Sequence, residues 1–224
     1  FVKTTGFPFE VIFGPIENYN DELFNFKSRF EAYIGVPDKE ATENLEIFKK
    51  YIPEFDAILA KKFGYKQKGS LAHMAVYNDV LRAGAVGFGR QFTASNLPND
   101  REIHEKYGSK KTFSKTMVEA KTNNLITKIA EKILPPEDLR LYDGNARILF
   151  LLGHEIAHGM GPGIIERNGQ RISLEGLLQE TNLPLEEAKA DALGLTFLNY
   201  LTGKRILTED NLKSIFLTNF AGNF

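Results

Sequence analysis

The chain of 224 residues contains no cysteine and only four histidines. Without cysteine there can be no disulfide and no thiolate metal site, so any metal must be held by His, Asp, Glu or water. The same absence leaves the compartment open. Net charge is almost missing too, at −1, which argues against a broad basic surface and against nucleic-acid binding by bulk electrostatics. Long apolar runs are lacking. The stretch "ARILFLLG" is apolar but falls far short of the roughly 20 residues that a membrane-spanning helix needs. No repeat, low-complexity tract, linker or secretory leader is visible. The first residue is Phe1 rather than Met, which suggests that a leader or a larger N-terminal piece has been removed. These absences lead us to expect a soluble protein, cytoplasmic or periplasmic, with no nucleic-acid partner and no membrane span.

What remains is ordinary globular composition, 42% hydrophobic and 25% charged, in a chain long enough to bury a real core. The stretch "FPFEVIFGPIENY" reads as a strand running into a turn, and "FEAYIGV" as a second strand. In "DKEATENLEIFKKYIPEF", Leu45, Phe48 and Ile52 recur at helical spacing, with acids early and lysines late to suit the helix dipole. Residues 71–100 are rich in Gly, Ala and small polar side chains and read as strand and loop. "DREIHEKYG" predicts a short helix closed by Gly108. "TFSKTMVEAKTNNLITKIAEKIL" predicts a long helix stopped by Pro135 and Pro136. Three more helices follow: "NARILFLLGHEIAHGM", which should be buried, "PLEEAKADALGLTFLNYLTG" with Pro184 at its start and Gly203 after its end, and "TEDNLKSIFLTNF", capped by Thr208. The fold class expected is α+β, mainly α, with a few strands near the N-terminus.

Two of the four histidines, His154 and His158, stand four residues apart in "LLGHEIAHGMGPG". On a helix such positions share a face and can offer two imidazoles to one metal ion. Glu155 sits one residue round from the first and can act as general base toward a zinc-bound water, the arrangement of HExxH. Zinc lowers the pKa of such a water to about 7. Buried on an otherwise apolar helix, two imidazoles and a carboxylate would be costly unless something bound them. A third ligand is needed. Glu187 and Asp191, four apart in "LPLEEAKADALGL", fit a ligand and a carboxylate that bonds the far nitrogen of one ligand histidine. Glu186 is the neighbouring candidate, about 100° round the helix. Glu166, Glu175 and Glu180 are other acids in reach of the motif. The alanines and leucines of this helix suit close packing against the histidine helix.

Several blocks together resemble the dipeptidyl peptidase III family of zinc metallopeptidases, in a divergent bacterial form. "IENYND" followed by "FEAYIG" resembles its Glu-x-Tyr-x-Asp block. "ASNLPNDREIHEKYGSKKTFSKTM" resembles its Asn-x-Pro-Asn block. "GHEIAHG" and "EEAKAD" resemble its two zinc helices, in the family's order. The resemblance implies one zinc ion held by His154, His158 and Glu187, with Glu155 as base and Tyr19 donating to the oxyanion. Glu17, Asn96 and Asn99 would bind the free amino end of a peptide, so that the substrate is a peptide cut as by a dipeptidyl exopeptidase. Well-known members have one more residue between the histidines, a longer stretch before the third ligand, a later histidine, and two lobes. Neither His73 nor His104 matches that later histidine. Residues 1–224 are therefore expected to form a single catalytic domain, a fragment of the zinc-bearing lobe of a longer chain. A zinc hydrolase acting on another substrate class and a non-catalytic zinc- or peptide-binding module stand as alternatives.

Overall fold

A computed structural model describes residues 7–17, 29–65, 73–84, 93–97, 110–167 and 169–224. The architecture is α+β and mainly α, as the sequence suggests. Contacts divide the chain into two units, one of Phe1–Leu45 with Ala72–Lys121 and one of Glu46–Leu71 with Thr122–Phe224. No helix among the described residues is long and apolar enough to cross a membrane.

The first unit is built on a five-stranded sheet. Its strands are β1 (Glu10–Glu17), β2 (Arg29–Pro37), β3 (His73–Gly84), β4 (Ala94–Leu97) and β5 (Lys110–Ser114), in the order β1-β2-β3-β5-β4. Only the β3–β5 pair is parallel. Residues 112–114 open the predicted long helix in sequence, but here they belong to β5. The reason is pairing: β5 lies between β3 and β4, every residue of it is buried, and its backbone groups are satisfied by two neighbours. Burial also takes in charge. Lys110 and Glu10 form an ion pair inside the unit, and the Tyr77 hydroxyl donates to Glu10 Oε2 at 2.9 Å. Such a pair adds little net stability when intact, yet losing one partner strands the other charge. The short helix predicted over 100–108 lies outside the described residues.

Helix α1 (Lys39–Phe63) starts in the first unit and continues in the second. It runs past Phe55, where the sequence reading stops, because buried Leu59 extends the stripe begun by Leu45, Phe48, Ile52 and Phe55. After β5, the chain becomes helical at once as α2 (Lys115–Lys121), makes one wide turn over Thr122–Ile126, and continues as α3 (Thr127–Ile133) before the two prolines. A short α4 (Pro136–Leu139) leads to α5 (Ala146–His158). Then come β6 (Ile164–Arg167) and β7 (Gln170–Ser173), an exposed antiparallel hairpin absent from the sequence reading, and α6 (Leu174–Leu178). Helices α7 (Asn182–Gly203) and α8 (Glu209–Ala221) complete the second unit. Pro184 is the third residue of α7 and Gly203 its last, a shift of one or two residues from the expected ends. Thr208 does cap α8, in a reciprocal box with Asn211. The core of this unit gathers Phe48, Leu152, Ile156, Phe197, Leu198, Leu201 and Ile215, all at most 2% exposed.

The start of α1 is fixed by one carboxylate. Asp38 Oδ1 accepts from the Ala41 amide at 2.8 Å, while Oδ2 accepts from Asn78 Nδ2 at 3.0 Å and Lys115 Nζ at 2.8 Å. Burial would raise its pKa, but the bonds from Lys115, the Ala41 amide and Asn78 outweigh it and hold Asp38 below its ordinary value. A depressed carboxylate adds stability above its unfolded pKa and loses it as pH falls through the folded one. Replacing Asp38 by Ala should therefore cost about 1–2 kcal/mol in denaturant titrations at pH 7. The gap should narrow below about pH 4, where the unfolded carboxylate takes up its proton. An equal gap at pH 7 and pH 2.5 would show that the charge contributes nothing.

Candidate metal centre

The centre lies wholly in the second unit and is made by two helices, α5 and α7. Their crossing is set by two glycines. A Cβ on Gly194 would lie 2.8 Å from the His154 amide nitrogen and 2.9 Å from the carbonyl carbon of Gly153. A Cβ on Gly153 would meet Leu198 at 2.9 Å and the Gly194 carbonyl oxygen at 3.2 Å. With hydrogen in place of two side chains, the backbones approach closely enough for short carboxylates on α7 to reach rings on α5. Glu187, Asp191 and Gly194 recur at intervals of four and three, so they occupy one stripe of α7. Ala157 and Ala190, both 0% exposed, keep the seam narrow beside it. The small-faced helix expected from the sequence is what makes this approach possible.

His154 and His158 face each other with their Nε2 atoms 3.1 Å apart. Glu187 completes a triangle, with Oε2 at 3.4 Å from His154 Nε2 and Oε1 at 3.8 Å from His158 Nε2. One ligand atom from each of the three lies within 4.8 Å of the others, the one such cluster of three or more among the described residues. The outer nitrogens are also engaged. His154 Nδ1 is 2.7 Å from Asp191 Oδ1, and His158 Nδ1 is 3.1 Å from Glu186 Oε1. An ionised carboxylate only accepts, so each Nδ1 carries a proton, and in the neutral ring each Nε2 then presents a lone pair inward. Two lone pairs and a carboxylate then converge on one point, and a cation there would satisfy all three.

The donor set fits such an ion. Tetrahedral zinc with ligands at about 2.0–2.1 Å places neighbouring donors about 3.4 Å apart, and the three separations here bracket that value. Two imidazoles and one carboxylate are a set that leaves a fourth position for water or substrate. The group His154, His158 and Glu187 can therefore bind a metal.

Glu187, expected as the third ligand, lies beside both histidines, and Asp191 is bonded to His154. Glu186 has a role that reading missed. Its position one residue before Glu187 turns it toward the second histidine, so the Glu186–Glu187 doublet was itself the signal. Burial pushes the Glu186 carboxyl up, but its bonds with His158 and Lys189 prevail and hold it down at about 2. Glu155 lies on α5 between the histidines, half-buried. Glu17 ends β1, and Asn96 of β4 pairs with Lys111 of β5. Tyr19 and Asn99 lie outside the described residues.

Replacing Glu187 by Ala should abolish metal retention, whereas Glu186→Ala should weaken it by about 10–100-fold. Gly194→Ala should do both kinds of damage, lowering stability by about 1–3 kcal/mol through overpacking and weakening the metal by parting the helices. Metal titration alongside thermal unfolding checks all three. Unaltered affinity in Gly194→Ala would show that the close crossing does not set the centre.

No family model matches the chain. A curated relative, Nudix hydrolase 3 of Arabidopsis thaliana, is 34% identical over 217 residues, which are 96% of this chain but 28% of that protein. Dipeptidyl peptidase III from Caldithrix abyssi superposes with a TM-score of 0.87 at 36% identity, over 97% of this chain and 42% of that structure. Dipeptidyl-peptidase III from Corallococcus sp. strain EGB gives 0.75 at 31%, over 96% and 41%. This chain thus has the fold of about two fifths of each of those peptidases and spans less than half the length of every relative named.

Proposed function

We propose that the chain carries the catalytic metal centre of a zinc metallopeptidase of the dipeptidyl peptidase III type, and that it belongs to that family. The observation that carries the reading is the inward convergence of His154 Nε2, His158 Nε2 and the Glu187 carboxylate, each ring held from behind by a second carboxylate. His154, His158 and Glu187 hold the ion. Zinc, when bound, supplies a Lewis acid that makes water acidic at neutral pH and polarises a carbonyl.

The remaining work belongs to the chain's own residues. Glu155, one position after the first ligand, takes a proton from the attacking water and passes it to the leaving amine. Tyr19 donates to the oxygen on which negative charge develops. Glu17 meets the ammonium of a free peptide N-terminus, and the amide oxygens of Asn96 and Asn99 add acceptors for its hydrogens. Fixing the amino end in this way sets how far along the peptide the cut falls, which makes the enzyme an exopeptidase releasing dipeptides. The sequence resemblance supports these roles, and the two dipeptidyl peptidase III structures support a peptidase of that type. The Nudix hydrolase relative favours a second reading, hydrolysis of another substrate class by the same centre.

Glu155→Ala should keep the metal and lose hydrolysis by at least about 100-fold in kcat, in line with loss of a general base. Assays with matched peptides, free and blocked at the N-terminus, read both parts of the proposal. Normal turnover by Glu155→Ala would remove that residue from the mechanism, and equal cleavage of blocked peptides would remove the exopeptidase register.

A further inference from the structure

Behind the second histidine stands a lysine that no role above uses. Lys189 Nζ is 2.6 Å from Glu186 Oε1, the same oxygen that accepts from His158 Nδ1. The ammonium also donates to the backbone carbonyl of Met160 at 3.0 Å. Met160 is two residues past His158, in the turn that ends α5, and is 1% exposed.

We infer that Lys189 is a positioning residue of the metal centre, which locks His158 by bonding at once the carboxylate that orients its ring and the turn that anchors its backbone. The inference rests on reading His154, His158 and Glu187 as metal ligands. An exposed lysine–glutamate pair three residues apart on a helix would be worth little. This one differs because its second bond leaves the helix and ends on a buried carbonyl of α5's own C-terminal turn. The two histidines are thus held unequally. Asp191 orients His154, but among the described residues no lysine is bonded to Asp191.

The sign of the effect separates positioning from simple charge. Lys189 is a cation close to a cation site, so by Coulomb's law alone its removal should tighten metal binding. A positioning role demands the opposite. The test is zinc affinity of the purified protein, by competition with a chromophoric chelator, for wild type, K189M and K189R. Cobalt substitution reports coordination geometry from the d–d bands, and thermal unfolding of the metal-free proteins reports the fold. We expect K189M to bind zinc about tenfold more weakly with altered cobalt bands, since loss of an orienting partner behind a ligand has that order of effect. K189R, which keeps the charge and the donors, should recover most of the loss. Equal or tighter zinc binding by K189M would overturn the inference while leaving the metal centre intact. So would K189R binding as weakly as K189M. Failure of the wild type itself to bind zinc would defeat the metal reading, and this inference with it.

Discussion

Everything in the candidate metal centre depends on how closely α5 and α7 can approach at Gly153 and Gly194. Glutamate and aspartate are short, and the ring nitrogens they must reach are fixed to another helix. A methyl group at either glycine would press on backbone or on a packed leucine within 3 Å. Since backbone cannot step aside as a side chain can, the helices would have to part, and separations of 2.7–3.8 Å between carboxylates and imidazoles leave no slack for that. The crossing is a steric condition. The electrostatic arrangement follows from it.

Given that crossing, the pattern of carboxylates explains itself. Asp191 and Glu186 take the outer protons of the two rings, and Glu187 faces the inner lone pairs. Each ring is therefore oriented by a carboxylate other than the one that faces its inner nitrogen. This division of labour places Glu186 and Glu187, adjacent in sequence, on different tasks, which follows from the turn of about 100° between successive helical residues.

The parts legible from sequence were those encoded locally. The i, i+4 histidines, the stripe Leu45–Phe48–Ile52, the Thr208 cap and the small face of α7 all depend on helical spacing, which sequence displays directly. Glu187 could be chosen because Asp191 follows it by one helical turn. Non-local pairing was harder. Residues 110–114 look polar and helix-compatible, with two lysines, and only their position between β3 and β4 makes them a buried strand. Lys110 finds its partner Glu10 a hundred residues away. The wide turn at Thr122–Ile126 has no local signature that we recognise. The β6–β7 hairpin did have one, Asn168–Gly169 between short alternating runs, but the weight of helix signals on either side obscured it. Gly169 does adopt the positive φ, +75°, that such a turn asks of glycine.

That hairpin bears on how the centre could vary between proteins. The segment from Gly161 to Thr181 leaves the turn that ends α5 and returns on α7, two helices already clamped together, so its ends are brought close by contacts outside it. Closing a loop whose ends are otherwise fixed depends only weakly on its length, about 0.6 kcal/mol for each doubling. The hairpin strands are largely exposed. Insertions here would lengthen an arm beside the cluster without moving His154, His158 or Glu187, which makes this segment the place where the surroundings of the cluster can be remodelled while its own geometry stays the same.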